Sequence, residues 1–327
     1  MIEILTSHAA NTIQDRGRFG ARRLGVSTSG VMDPLALAAG NLMLGNDADA
    51  ASIEVQTFPF RLRFTAATRF AVTGADCDAS LAGRALPPWW CGRAGAGEVL
   101  ELGLPRRGAR AYLTVPGGIA VPAVLGSRST HLRAGFGGHE GRAIAAGDRL
   151  AIGSDAAGAV QRADFGVVPA AVALPGVAGE APVPGQIAVR VLRAGEYDFF
   201  PAEMQSLFRE TAWKIGLQSD RTGYRLAGAK LLLPSPVEMR SHGVVPGVVQ
   251  VPPAGEPIIQ MSDANTAGGY PKMATVIEAD LWRLGQAGPG ARVRFVEVSY
   301  PEAVAAMAPV EAYVADVARI AALYRTA

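Results

Sequence analysis

The chain predicts a mainly β protein with flanking helices. Short segments rich in β-formers recur along it, Gly or Pro bounds nearly all of them, and few stretches keep a helical period. With 39 Gly and 22 Pro among 327 residues, turns are frequent enough to separate many short strands. The clearest strand segments are RLRFTAATRFAVTG (61–74), ARAYLTVPGG (109–118) and AVRVLRAG (188–195).

The first helix is expected through DPLALAAGNLML, where Asp33 can cap, Pro34 fits the first turn and Gly45 follows the last apolar residue. A second lies near PAEMQSLFRETAW (201–213), a short third around EADLWRLGQ (278–286), and a fourth over PEAVAAMAPVEAYVADVARIAALYR (301–325), broken at Pro309. Two segments echo each other: GEVLELG from Gly97 and GDRLAIG from Gly147 each open a short alternating strand with a glycine and an acid. A third glycine-led strand entry without the acid starts at Pro289-Gly290. Duplication and reused turn chemistry both account for the echo. The stretch from Gly153 to Gly185 is rich in Ala, Val, Pro and Gly and reads as a connection. It separates a first subdomain, 1–165, from a second, 185–327, which takes the C-terminal helix.

Composition excludes several classes. No run of about 18 uncharged apolar residues occurs, so a membrane span is not expected. The start carries Glu3 and lacks a basic end followed by an apolar core, so no secretory signal is expected. A formal charge of +2 gives no reason to invoke nucleic acid or acidic membranes. Cys77 and Cys91 lack a C-x-x-C or His spacing, which points to a reduced, cytoplasmic protein without a zinc or other metal site.

The standard catalytic signatures are missing. There is no G-x-x-x-x-G-K-[ST] loop for ATP phosphates, no H-E-x-x-H and no G-x-S-x-G elbow, and His8, His131, His139 and His242 are scattered. Lys272-Met273 does not read as a biotin attachment site, because Pro271 precedes it and no second Met flanks it. What remains is Arg, Asp, Asn, Gln and Tyr set in glycine-rich turns. In the turn Asp15-Arg16-Gly17-Arg18, the charges can form an ion-pair network or grip a planar carboxylate or amide. Gly126-Ser127-Arg128-Ser129-Thr130 can hold an oxyanion or satisfy its own backbone. Ser219-Asp220-Arg221 repeats the Asp-Arg pair ahead of Tyr224, and QVPPAGEPIIQMSDANTAGGYPKM (250–273) is a Pro- and Gly-held loop crowded with polar side chains.

Seven motifs in chain order carry a resemblance: TIQDRGRFG from Thr12, GVSTSGVMD from Gly25, NLMLGN from Asn41, GSRST from Gly126, SDRTGYRLAG from Ser219, GVVQVPPAGEPI from Gly247 and GGYPK from Gly268. Together they resemble the biotin-dependent carboxyltransferase family, which takes in the C subunit of 5-oxoprolinase and allophanate hydrolase subunit 2-like proteins. The resemblance spans Thr12 to about Glu302 and implies two cyclophilin-like β-barrel subdomains. It further implies a complex with the B and A subunits of 5-oxoprolinase that uses ATP to open the lactam of 5-oxoproline to glutamate. The alternatives it leaves are carboxyl transfer to urea or a similar amide from biotin on a separate carrier, and a regulatory protein that binds a kinase-inhibitor partner.

The resemblance also directs the choice of site residues. Lys272, Asp263 and Asp220 are the catalytic candidates: Lys272 to stabilise charge developing on an amide oxygen, the two aspartates to orient cations or take a proton. Asp15, Arg16, Arg18, Arg128, Ser129, Arg221, Tyr224, Gln250, Asn265, Thr266, Gly268, Gly269 and Tyr270 are the candidates for binding the substrate. Asn265 stands where many relatives carry Gln and His242 where an acid is common, so neither inherits a family role.

Overall fold

The computed structural model describes residues 1–154, 163–180, 183–235 and 237–325. Strands dominate and helices are few. Contacts divide the chain into two units, one of Met1–Phe19, Ser29–Leu174 and Glu311–Ala327, the other of Gly20–Thr28 and Pro175–Val310.

The first unit is built on two six-stranded sheets. In one, Arg149–Leu150, Ile2–Thr6, Phe60–Phe64, Val99–Leu102, Ser80–Leu81 and Arg84–Ala85 lie side by side. In the other the order is Phe165–Gly166, Trp90–Ala94, Thr68–Asp76, Arg107–Thr114, Ser52–Val55 and Thr12–Gln14. Strict alternation explains the Phe60–Phe64 strand: Phe60, Leu62 and Phe64 are buried while Arg61 and Arg63 face water. Ile2, Ile4, Leu62, Phe64 and Leu100 from the first sheet join Ile53, Phe70, Val72 and Leu113 from the second in one core.

The helix Pro34–Leu44 forms where the sequence signals it. The Asp33 carboxylate accepts the N–H groups of Leu35 and Ala36, each at 3.0 Å, and Gly45 ends the helix with φ +79°. It is apolar on nearly every side and buried accordingly, against the face of the second sheet opposite the core. Gly40 allows that approach, since a Cβ there would lie 2.9 Å from Oγ1 of Thr114, and the Thr73 hydroxyl donates to the Ala36 carbonyl at 2.7 Å.

The two echoed turns use the same device. Gly97 and Gly147 have φ of +85° and +92°, and the acid that follows each accepts a main-chain N–H three residues back: Glu98 from Gly95 at 2.7 Å, Asp148 from Ala145 at 2.8 Å.

The C-terminal helix, Met307–Tyr324, belongs mostly with the first unit, which corrects the boundary read from sequence. Its Tyr324 ring stacks on Phe165 at 4.4 Å, Tyr313 meets the edge of Trp89 at 6.3 Å, and the Tyr313 hydroxyl donates to the Val168 carbonyl at 2.8 Å. Conversely Gly20–Thr28 joins the second unit, where the Ser27 hydroxyl donates to the Ala264 carbonyl at 2.8 Å. The break between the last two helices falls at Ala306 rather than Pro309. Pro309 sits in the first turn of the longer helix, where its missing N–H has no partner to lose.

In the second unit seven strands close into a barrel: Gln186–Arg193, Lys272–Val276, Val248–Gln250, Ile258–Gln260, Gly223–Ala227, Trp213–Ile215 and Arg292–Glu297. The last returns to the first in parallel, Gln186 beside Arg292. Val189, Val191, Trp213, Ile215, Val249, Ile259, Met273 and Phe295 are buried. The helix Ala202–Glu210 packs Phe208 on Phe295 with rings 4.5 Å apart, and the Trp213 indole donates to the Phe208 carbonyl at 3.0 Å. The fully buried Asp280 carboxylate is held by Arg190 through Nε and Nη2 at 2.9 and 2.8 Å. Among the described residues no helix is long and apolar enough to cross a membrane.

Candidate functional site

The predicted site residues divide between the two units, and part of them gather around one centre in each. In the first unit, Asp15 is the centre. Its carboxylate accepts the hydroxyls of Ser127 and Ser129 at 2.7 and 2.6 Å and the main-chain N–H groups of Arg128 and Gly17 at 2.5 and 2.9 Å. The hydroxyl-rich loop Gly126–Thr130 therefore does hold an oxyanion, and that oxyanion is the chain's own Asp15. Arg18 is fully buried, donates to the carbonyls of Val124 and Ser129 at 3.1 and 2.7 Å, and lies 4.7 Å over the Phe136 ring. The arrangement clamps the Asp15–Arg18 turn to the Ser127–Ser129 loop. Arg16 and Arg128 keep exposed side chains: Arg16 pairs with Asp49 at 3.8 Å, and Nε of Arg128 donates to the Val121 carbonyl at 2.9 Å.

Two further groups in this unit have no motif to announce them. Glu54 is fully buried and accepts the Tyr112 hydroxyl and the Met32 N–H, both at 2.8 Å. Burial, with Glu54 and Asp33 adding to it, pushes the Tyr112 phenol well up from its ordinary value. Cys77 and Cys91 are buried thiols not joined in a disulfide, and burial together with the Asp76 charge raises Cys77 to about 12.

In the second unit the candidates gather on the barrel. Antiparallel pairing sets Gln250 opposite Lys272 on neighbouring strands, and opposite residues share a face. Gln250 and Gln260, both buried, join their carboxamides, Nε2 of Gln260 donating to Oε1 of Gln250 at 3.0 Å. Gly268 faces this pair, and a Cβ there would meet Nε2 of Gln250 at 2.6 Å. Lys272 is only 7% exposed. Burial lowers its ammonium from the usual lysine value, against the opposing pull of Glu196.

Two residues beside Lys272 were not among the predicted site. Oε2 of Glu196 accepts the Lys272 main-chain N–H at 3.0 Å, and Nε2 of His242 meets Nζ of Lys272. Glu196 follows a strand 76 residues earlier in the chain, and no local pattern marks it. For Gln260 a signal existed: a polar residue ending the apolar run Ile258-Ile259.

The remaining predicted residues are placed as follows. Arg221 and Asp263 form a buried bidentate pair, Nε to Oδ2 at 3.0 Å and Nη2 to Oδ1 at 3.3 Å. Asp220 closes its own exposed turn, accepting from Thr222 and Gly223 at 2.8 and 3.1 Å. The buried Tyr224 hydroxyl reaches the carbonyls of Leu284 and Ala287 at 3.2 and 3.0 Å, which ties its barrel strand to the end of the helix Leu281–Gly285. Asn265 and Tyr270 are exposed and Thr266 half-buried. The Gly269 Cα approaches the Met239 carbonyl so closely that a Cβ would lie 3.0 Å from it.

Beside the Gly269–Pro271 turn lies a mostly apolar cavity of about 520 Å³, with Leu231, Val251, Pro252, Pro253 and Tyr270 on its walls. Among the described residues no group of three His, Cys, Asp or Glu side chains is gathered as a metal ion would need.

The carboxyltransferase domain model, covering subdomains A and B, matches residues 24–297. The chain belongs to this carboxyltransferase family. It is 41% identical to the C subunit of 5-oxoprolinase from Haemophilus influenzae over 320 residues, 98% of this chain and 98% of that protein. To the corresponding 5-oxoprolinase C subunit of Escherichia coli it is 40% identical over 306 residues, 94% of each. The crystal structure of K. lactis urea amidolyase superposes with a TM-score of 0.84 at 29% identity, covering 95% of this chain and 20% of that one. The family match starts after the Asp15–Arg18 turn and takes in the Gly126–Thr130 loop and the whole Lys272 group of this family member.

Proposed function

We propose that this chain is the C subunit of an ATP-dependent 5-oxoprolinase complex, which opens the lactam of 5-oxoproline to glutamate together with the A and B subunits. The observation that carries this reading is the 41% identity to a 5-oxoprolinase C subunit over 98% of both chains. In this reading Lys272 is the group that steadies negative charge on the lactam oxygen. A cation held in a site with little water acts more strongly than one in bulk solvent. Gln250, which has both an amide donor and an acceptor, recognises the planar lactam, with Gln260 fixing its orientation. The Arg221–Asp263 pair stiffens the loop that leads to Asn265, Thr266 and Tyr270. ATP is assigned to another chain, because this sequence has no phosphate-binding loop of the G-x-x-x-x-G-K-[ST] kind. Two buried thiols left unjoined by a disulfide support a reducing, cytoplasmic setting.

The test is reconstitution. Mixed with the A and B subunits, the chain should support glutamate formation from 5-oxoproline coupled to ATP hydrolysis, and alone it should give none. Lys272→Ala should lower kcat about a hundredfold, the scale of removing one preorganised donor. Full activity in that variant would remove Lys272 from the site. The structural likeness to urea amidolyase favours a second reading, carboxyl transfer to a small amide from biotin on a separate carrier. Substrate-dependent fixation of bicarbonate with a biotinylated carrier and carboxylase, and no lactam opening with the A and B subunits, would select it.

A further inference from the structure

His242 lies on a two-residue strand paired with Ala267–Gly268, and its side chain is 41% exposed. Both ring nitrogens have partners. Nδ1 is 3.1 Å from the Arg240 carbonyl, which can only accept, so Nδ1 carries the ring proton. Nε2 therefore presents a lone pair, and Nζ of Lys272 donates to it. A lysine ammonium otherwise rotates on a flexible stem, so this acceptor sets its direction. Oε1 of Glu196 stands 3.6 Å from the same Nε2, while its other oxygen holds the Lys272 main chain. The lysine is thus gripped at its backbone by Glu196 and at its tip by His242.

We infer that His242 is a positioning residue for Lys272 and acts only as the neutral imidazole, a role that presupposes Lys272 as the charge-steadying group proposed above. Protonating Nε2 turns the acceptor into a donor and sets two cations on one hydrogen-bond axis. Lys272 must then swing away or give up its own proton. Of the charged groups that face the ring, Lys272 opposes its protonation and Glu196 favours it. An imidazole ordinarily charges below about pH 6.5, so the orientation of Lys272 is tied to pH through a side chain that water reaches.

Two readouts on the full-length protein test this. Competitive acetylation of Lys272, followed by mass spectrometry across pH, should show a step in the imidazole range besides the lysine's own inflection. His242→Gln, whose carboxamide oxygen still accepts from Nζ, should abolish the step and keep the reactivity. His242→Ala should abolish the step and move the inflection toward the ordinary lysine value as water enters. In the complex with the A and B subunits, wild-type turnover should fall through the same pH range. His242→Gln should flatten that acid limb, and His242→Ala should lower kcat about tenfold at unchanged KM, the effect of one lost hydrogen bond to a charge. A Lys272 labelling profile that neither variant alters would overturn the inference whatever the activity. A fully active Lys272→Ala complex, with the labelling step present in the wild-type chain, would instead sink the catalytic reading and leave the His242–Lys272 coupling standing.

Discussion

Replacing Asp15 by Ala should destabilise the first unit far more than an ordinary surface change. Four donors converge on its carboxylate, the hydroxyls of Ser127 and Ser129 and the N–H groups of Arg128 and Gly17, at 2.5 to 2.9 Å. Hydrogen bonds to a charged group contribute about 1.5–3 kcal/mol each. The two serines are buried, so water does not replace their acceptor, whereas the main-chain donors are partly reachable. Taking the low end for each hydroxyl and about 1 kcal/mol for the main-chain donors together gives about 4 kcal/mol. Asp15→Asn keeps one acceptor oxygen for the hydroxyls but turns an amide donor on an N–H, so about 2 kcal/mol is expected. Urea unfolding followed by the fluorescence of Trp89 and Trp90, both in the first unit, measures each. A loss under about 1 kcal/mol in Asp15→Ala would refute the clamp. Unchanged stability with lost activity in the complex would return Asp15 to substrate binding.

Other outcomes follow from the same geometry. Gly268→Ala pushes a Cβ into Gln250, which Gln260 holds in place; KM for 5-oxoproline should rise about tenfold, the effect of one broken hydrogen bond, with the melting temperature little changed. The Arg142 guanidinium, bonded to both oxygens of Asp148 at 2.8 and 2.9 Å, lowers that carboxyl to about 2 from an ordinary 3.8. Because the folded-state value is the lower one, its stabilisation is present above about pH 4 and is lost as pH falls toward 2. Arg142→Ala should reduce the fall in urea midpoint over that window, and an unchanged fall would exclude the pair as its cause. Cys77, raised to about 12 and 2% exposed, should resist iodoacetamide at pH 8 in the native protein and react once urea unfolds it. Fast native labelling of Cys77 would contradict its burial.

How much of this was legible depended on how local the cause is. Asp33, Pro34 and Gly45 spell out a helix within a dozen residues, and the structure has it between those caps. The alternation of Phe60–Phe64 and the Gly97 and Gly147 turns are equally short-range and were equally readable. The home of the C-terminal helix was not. Its Tyr313 and Tyr324 rings are apolar contacts waiting for partners, and only the tertiary fold supplies Trp89 and Phe165. The same holds at the sites. Asp15 and the Ser127–Ser129 loop each stand out in the sequence, but that one is the ligand of the other follows from a pairing over more than a hundred residues. Lys272 stands out in the sequence at the end of a Pro- and Gly-held loop, whereas its neighbours Glu196 and His242 come to it through barrel closure and a two-residue hairpin strand.

The most direct test of the central claim is glutamate release from labelled 5-oxoproline by the purified chain, with and without the A and B subunits, in the presence of ATP. Turnover that needs all three chains and falls about a hundredfold with Lys272→Ala is the expected result. Turnover by the A and B subunits alone at the full rate, or none from the three together, would contradict it.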